Sequence, residues 1–377
     1  MSNHDSNLVV DSGMARAIAR LAIPYFVDLE ESEGDAEWEL GKFSGVTYES
    51  LFNADPFDVF DVEGRLVFKV FADEIGEGVG VFVRVAGNKS FGAPIISIAV
   101  YEKQLELSAL IDEARSYAVK IARDKGVRVE QESLVCYSYP RLGLLVSGST
   151  GAVVVDIIRH VPVPLDKTWS LFAMVGEGKI DEKVEEWNAS ARALRAGAWN
   201  AFDDLQDVAR RVQQNVRKYV LPGVPRFGQT GLTYCVPAVA AMILGFSHVC
   251  KTQSELGVLM KTQSNSSVIL NGTTLQGELV GYQKAVPSFA IAKSQPAFGD
   301  AQQEIGAQGS MGLPFKAGLP GHAQVVRGWK TGVAGSSGLK VNDPWPPKTS
   351  TEKGGTSDWQ TWFPNLHTDF IFVRPPK

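Results

Sequence analysis

Three cysteines and five histidines supply the candidate nucleophiles and bases of this 377-residue chain. A cysteine attacks carbonyl carbon as the thiolate, so its setting decides whether it reacts. Cys235 stands in Gln229-Thr-Gly-Leu-Thr-Tyr-Cys235-Val-Pro-Ala-Val-Ala-Ala-Met-Ile-Leu-Gly245. The run after it is apolar on every face, which predicts a central, buried helix. Pro237 fits only a first helical turn, so the helix begins close to Cys235, and Gly245 suits its stop. At a helix N-terminus the macrodipole and free N–H groups favour the thiolate. The plainer reading is a buried packing cysteine, the common fate of a lone Cys. A polar, Gly-containing approach is not needed for packing, and it favours the reactive reading.

A base must come from a distant part of the chain. His4 is terminal, His160 lies beside Pro162, His248 follows the helix, and His367 sits in a loop-like stretch. His322 instead opens a short strand, Gly321-His-Ala-Gln-Val-Val-Arg-Gly-Trp329, entered through Pro320-Gly321. Its period of two puts His322, Gln324 and Val326 on one face. A second strand, Leu339–Trp345, follows a Gly/Ser-rich turn at Gly332–Gly338, and the pair reads as a hairpin with a long loop. Leu339, Val341 and Asp343 share a face, so Asp343 is the candidate to orient the His322 ring. Asn342 points the other way and ranks second. The alternative is that Asp343 merely forms a turn before Pro344.

The order Cys235, His322, Asp343 resembles that of papain-like cysteine peptidases. Gln229, six positions before Cys235, is similar in spacing to the family's oxyanion-hole glutamine. Asp343-Pro344-Trp345 looks like the strand end at which a tryptophan shields the His–carboxylate bond. The compact extent, from Pro222 onward, is similar to small bacterial members such as effector peptidases and the peptidase domains of bacteriocin exporters. The resemblance implies a central helix packed on an antiparallel sheet, thiolate attack on a peptide or isopeptide carbonyl, and no cofactor or metal. Its oxyanion donors would be the Gln229 side chain and the Cys235 N–H. Tyr234 and Val236 depart from the residues usual beside the nucleophile, which bears on cleft shape more than on chemistry.

The remaining elements must hold these residues together. A hydrophobic share of 44% and a charged share of 21% describe an ordinary globular chain. Strand-like runs at Leu66–Phe71, Val79–Val85 and Pro94–Tyr101 precede a helical pattern over Leu105–Lys125. Further strands follow at Ser133–Tyr139, Leu142–Ser147 and Ala152–Arg159. An amphipathic helix closed by Pro24 lies ahead of them. The fold class expected is α+β. An N-terminal α+β domain, 1–165, has a mostly antiparallel sheet. A connector, 166–221, is dominated by one long helix over Asp181–Val220, with Gly197 a possible break, and a papain-like domain fills 222–377. From Pro222 onward there are 13 Lys+Arg against 8 Asp+Glu, or +5, which leaves −10 for the preceding part. The opposite signs suit docking of the acidic N-terminal half on the peptidase domain.

No basic run is interleaved with aromatics, so nucleic acid is a poor partner. Nor does any apolar run approach a membrane span. Three cysteines without a CxxC pair favour free thiols in a reducing compartment. The expected address is cytoplasmic, or export by a route that uses no signal peptide. The expected partner is a protein or peptide substrate, with the N-terminal domain serving targeting or latency. Two other readings stay open: a catalytically silent papain-like binding protein, and an acyl transferase or amidase using the same triad.

Overall fold

A computed structural model describes residues 7–27, 43, 45–75, 79–102, 106–172, 179–197, 203–263, 272–306, 311–333, 336–347 and 354–376. Asp11 caps the first helix, α1 (Ser12–Ala22), by accepting from Met14 N. Strands β1 (Phe57–Phe60), β2 (Leu66–Ile75), β3 (Val79–Ala86) and β4 (Ile95–Glu102) pair antiparallel in sequence. Side-chain alternation gives them two buried faces. Val81, Val83 and Val85 pack with Ile18 and Leu21 of α1. Phe82 and Ala86 pack with Ile111, Ala114 and Ala118 of the second helix, α2 (Leu107–Asp124). Then β5 (Gln131–Ser138), β6 (Arg141–Gly148), β7 (Gly151–Asp156) and the short β8 (Pro162–Val163) extend the sheet. The mixed α+β character and the largely antiparallel sheet agree with the sequence reading.

The long helix over Asp181–Val220 does not run through: it stops at the possible break, Gly197, and its last residues form a strand. Helix α3 (Ile180–Ala196) ends at Gly197, where an added Cβ would meet Tyr25 Oη at 2.5 Å. Residues 198–202 lie outside the described set. A fresh cap at Asp204, accepting from Gln206 N, starts α4 (Leu205–Val212). The stretch after it is strand β9 (Arg217–Val220), paired antiparallel with Gly328–Thr331. The three-to-four spacing of apolar residues therefore spans a broken element. Backbone pairing took Tyr219 and Val220, residue types that favour strands.

Cys235 begins α5 (Cys235–Phe246), followed by α6 (Gln253–Leu259), α7 (Leu275–Ala285), β10 (Ala290–Ser294) and α8 (Phe298–Ile305). The chain closes with β11 (Phe315–Leu319), β12 (His322–Val333), β13 (Ser336–Asp343), β14 (Thr356–Thr361) and β15 (Asp369–Arg374). Helix α5 packs Val239, Ala240 and Ile243 on Ala323, Val325 and Ile371, on one face of these strands. Helix α8 covers the opposite face with Ala301 and Ile305 against Val326 and Leu339. The β12–β13 hairpin runs further than expected, since Gly332 and Gly338 both lie within strands.

The described strands form one sheet in the order β10-β15-β11-β12-β13-β14-β4-β3-β2-β1-β5-β6-β7-β8, with β9 paired on β12. The joint between the two halves is β14 against β4, with Ser357, Asp358, Trp359 and Gln360 opposite Val100, Ala99, Ile98 and Ser97. Apolar packing crosses the same joint. Val333 and Trp359 are buried with α1 residues, and Leu319, Phe363 and Leu366 with α2 residues. Lys330 Nζ donates to Tyr25 O at 2.7 Å and sits 4.0 Å from the Trp359 ring centroid. No helix among the described residues is long and apolar enough to cross a membrane.

Candidate active site

Cys235 is the first residue of α5, and Pro237 occupies its first turn as the sequence predicts. The first N–H groups of such a helix lack intrahelical acceptors and point toward the thiol's end. The chain reaches Cys235 through a loop fastened by Gln253, whose Nε2 donates to Gly228 O and whose Oε1 accepts from Thr230 N, each at 2.9 Å. His322 enters from β11 through Gly321, whose φ of +70° is the left-handed conformation that tight turns give to glycine. It pairs with Leu319 at the mouth of the β11–β12 hairpin. Asp343 is the last residue of β13, and Gln229 N ties the cysteine loop to this corner by donating to Pro344 O at 3.0 Å.

The structure brings Cys235, His322 and Asp343 together. His322 Nε2 lies 2.7 Å from Asp343 Oδ1, and the Cys235 thiol lines the same cleft within interaction range of that imidazole, each shifting the other's ionisation. Since Nε2 is given to the carboxylate, Nδ1, which also has Arg141 Nη2 3.2 Å away, is the nitrogen through which the ring can exchange a proton with the sulfur. Asp343 also accepts from Trp345 N at 2.7 Å and from Gln324 Nε2. Its carboxylate is thus fixed by donors from three residues. Burial pushes the Cys235 thiol up, but the hydrogen bond and charge of His322, with the Arg141 charge, bring it below its ordinary value. Burial pulls His322 down, yet Asp343 and Cys235 together raise it above the usual imidazole range. Burial likewise opposes ionisation of Asp343, and His322, Gln324 and Trp345 N–H more than offset it. These directions suit a thiolate beside an imidazolium held by a carboxylate.

Gln229 is placed differently from a free oxyanion donor. It is fully buried, and Nε2 donates to Gly231 O at 2.6 Å and Leu232 O at 3.0 Å within its own loop. Both amide hydrogens are engaged there. Asn342, second choice for orienting the base, accepts from Arg327 Nε and donates to Val224 O and Pro225 O, away from His322.

The other candidates fall away on chemistry. Cys136 is a core thiol pushed up to about 12 by burial. His367 is buried against Trp362, and burial pulls it down to about 4, which keeps it neutral. His160 stacks on Tyr117 with centroids 4.5 Å apart. His4 lies outside the described residues. Cys250 is exposed and free. Among the described residues no group of three His, Cys, Asp or Glu could hold a metal ion.

A cleft of about 150 Å³ opens beside the cysteine. Cys235 keeps 6% exposure at its wall, while His322 shows only backbone there, its ring being closed off from solvent. Lys316 crosses it, with Nζ 2.5 Å from Asp369 Oδ1 and 3.3 Å from Glu278 Oε2. Arg141, from β6, forms part of the wall. Sequence reasoning missed two residues here. Gln324 had a visible signal, its shared face with His322. Arg141 had none, because it meets His322 across 181 residues of chain.

No family model matches the chain, and no curated protein matches it. One solved structure aligned with it is the peptidase domain of Streptococcus ComA, a bi-functional ABC transporter involved in a quorum-sensing pathway. That alignment covers 41% of this chain and 99% of the other, at 20% identity and a TM-score of 0.30.

Proposed function

We propose that the chain is a cysteine-type peptidase that hydrolyses peptide or isopeptide bonds. The observation that carries this reading is one imidazole bonded to Asp343 and placed beside a thiol at a helix N-terminus, at the wall of an open cleft. His322 takes the thiol proton, and the thiolate attacks the scissile carbonyl carbon. The C–N bond then breaks as His322 returns that proton to the leaving amine. Water adds to the thioester, its proton passing to His322, and releases the acid and the free thiol. The Cys235 N–H is the natural oxyanion donor, and Gln229 joins it on releasing one of its loop carbonyls. Substrates are proteins or peptides, and no cofactor takes part. The N-terminal half contributes to latency or targeting.

A second reading rests on Gln229. With both amide hydrogens engaged, the chain as folded suits a thiol-bearing binding protein, or an acyl transferase or amidase awaiting its acceptor. Cys235→Ala, assayed beside the parent on a peptide library with product mass spectrometry, separates these. Loss of cleavage in the variant supports the peptidase. Undiminished cleavage removes it, transferred rather than hydrolysed products support the acyl transferase, and no turnover by a parent that labels readily supports the binding protein.

A further inference from the structure

Arg141 opens β6, in the N-terminal half of the chain, yet its guanidinium lines the cleft beside Cys235. It is fully buried, rests over the Trp345 ring at 4.8 Å, and places Nη2 3.2 Å from His322 Nδ1. Ser138 Oγ pins this hairpin tip by donating to Pro320 O at 2.8 Å. Among the described residues Nε and Nη1 have no hydrogen-bond partner, and no carboxylate lies within 4.0 Å of the guanidinium. A guanidinium keeps its charge and is a donor only. A buried cation without a paired anion is strongly unfavourable unless it has work elsewhere. Asp156 is nearby but already taken by Tyr137 Oη at 2.7 Å and by the N–H groups of Ile158 and Arg159. Asp343 is likewise committed, to His322, Gln324 and Trp345 N–H, which leaves the anion that the site itself makes, the Cys235 thiolate.

We propose that Arg141 is a positioning residue supplied by the N-terminal half, a permanent cation whose charge favours the Cys235 thiolate over the thiol. An N–H cannot bond to another N–H, so the Arg141–His322 contact is attractive only while Nδ1 carries its lone pair and Nε2–H faces Asp343. Once Nδ1 takes the thiol proton, the guanidinium repels the imidazolium and urges the proton onward to the leaving amine. Arg141 lowers both titrations, that of the thiol and that of the ring. The other charged groups in reach are Asp343 on β13, Asp358 behind it on β14, and Lys316, Glu278 and Asp369 across the cleft. Among the described residues, the positive charges that act on Cys235 are those of His322 and Arg141.

The inference rests on Cys235 being the reactive thiol, and its test needs no substrate. Full-length parent, Arg141→Met and Arg141→Lys are alkylated with iodoacetamide across pH 4–9, and the rate is read on the peptide that contains Cys235. Methionine in place of an unpaired buried cation is expected to hold or raise stability, so the first variant should fold. Arg141→Met should move the alkylation inflection upward by about one pH unit, near tenfold slower labelling on the acid side. Arg141→Lys should stay within about half a unit of the parent, since it keeps the charge. An unmoved inflection in Arg141→Met, or equal shifts in both variants, overturns the proposal. Should Arg141→Met not fold, Arg141→Lys decides: a low inflection supports the proposal and one at the ordinary thiol value defeats it. A chain with no peptidase turnover can pass this test, and an active one can fail it, so the two readings stand or fall separately.

Discussion

The ring nitrogen Nε2 of His322 sits 2.7 Å from Oδ1 of Asp343, and neither side chain has any contact with solvent. Asp343→Asn keeps the shape but offers the ring an amide in place of a carboxylate, which disturbs the tautomer and removes support for the imidazolium. Turnover should fall by roughly 10³ to 10⁴ with folding preserved. Steady-state kinetics beside a thermal melt would separate loss of rate from loss of fold.

Gln229→Ala distinguishes an oxyanion donor from a loop brace. Alkylation of Cys235 passes through no oxyanion, so its rate should survive the change. Peptide hydrolysis should drop about 100-fold if the amide serves the transition state. Equal loss in both assays would mean that the bonds to Gly231 O and Leu232 O only shape the loop.

His367 gives the fold a measurable acid weakness. Its folded value of about 4 lies below the ordinary imidazole value, so the neutral ring's contribution is complete above about pH 6.5 and is lost as pH falls toward 4. The full effect is on the order of 3 kcal/mol. Asp358 acts in the opposite sense: burial raises it to about 6, and its protonation favours the fold as pH falls from about 6 toward 4. His367→Phe should therefore resist acid better than the parent. Urea melts at pH 7 and pH 4.5 would read the difference, and equal acid sensitivity in the two chains would refute it.

A chain beginning at Leu221 should fold poorly. It would lose the β4 partner of Ser357–Gln360 and expose Trp359 and Val333, which are buried with N-terminal residues. An unpaired strand edge with apolar flanks invites aggregation. Size-exclusion chromatography and circular dichroism of that chain would check this. A monomeric, folded product with equal turnover would count against both the shared core and any latency.

Much of this was legible in the sequence because local rules and global fold agree. Alternating Val, Ile and Phe gave β2 to β7, and the apolar stripe through Ile111, Ala114 and Ala118 gave α2. Pro237 located the start of α5, and period-two faces put His322 and Asp343 in one hairpin. What escaped depends on contacts between distant segments. Tyr219 and Val220 fit a helical stripe, and only the open flank of β12 makes them a strand. The β4–β14 pairing leaves no mark in either strand's composition. Arg141 looks like any basic residue after a turn until the fold sets it against Trp345. Gln229 has the expected spacing, but its bonds to neighbouring carbonyls come from a loop conformation that spacing does not encode.

The long sheet has one thin crease. Strand β1 runs parallel to β5 and meets it at a single residue pair, Phe60 with Val135, whereas neighbouring strands share several rungs. Mild urea or gentle warming should part the sheet there first, freeing β5 to β8 as a flap. The nucleophile, its base and the carboxylate would stay assembled on the far side while the flap carried the guanidinium away. Reactivity of the thiol would then fade while far-ultraviolet dichroism had scarcely changed.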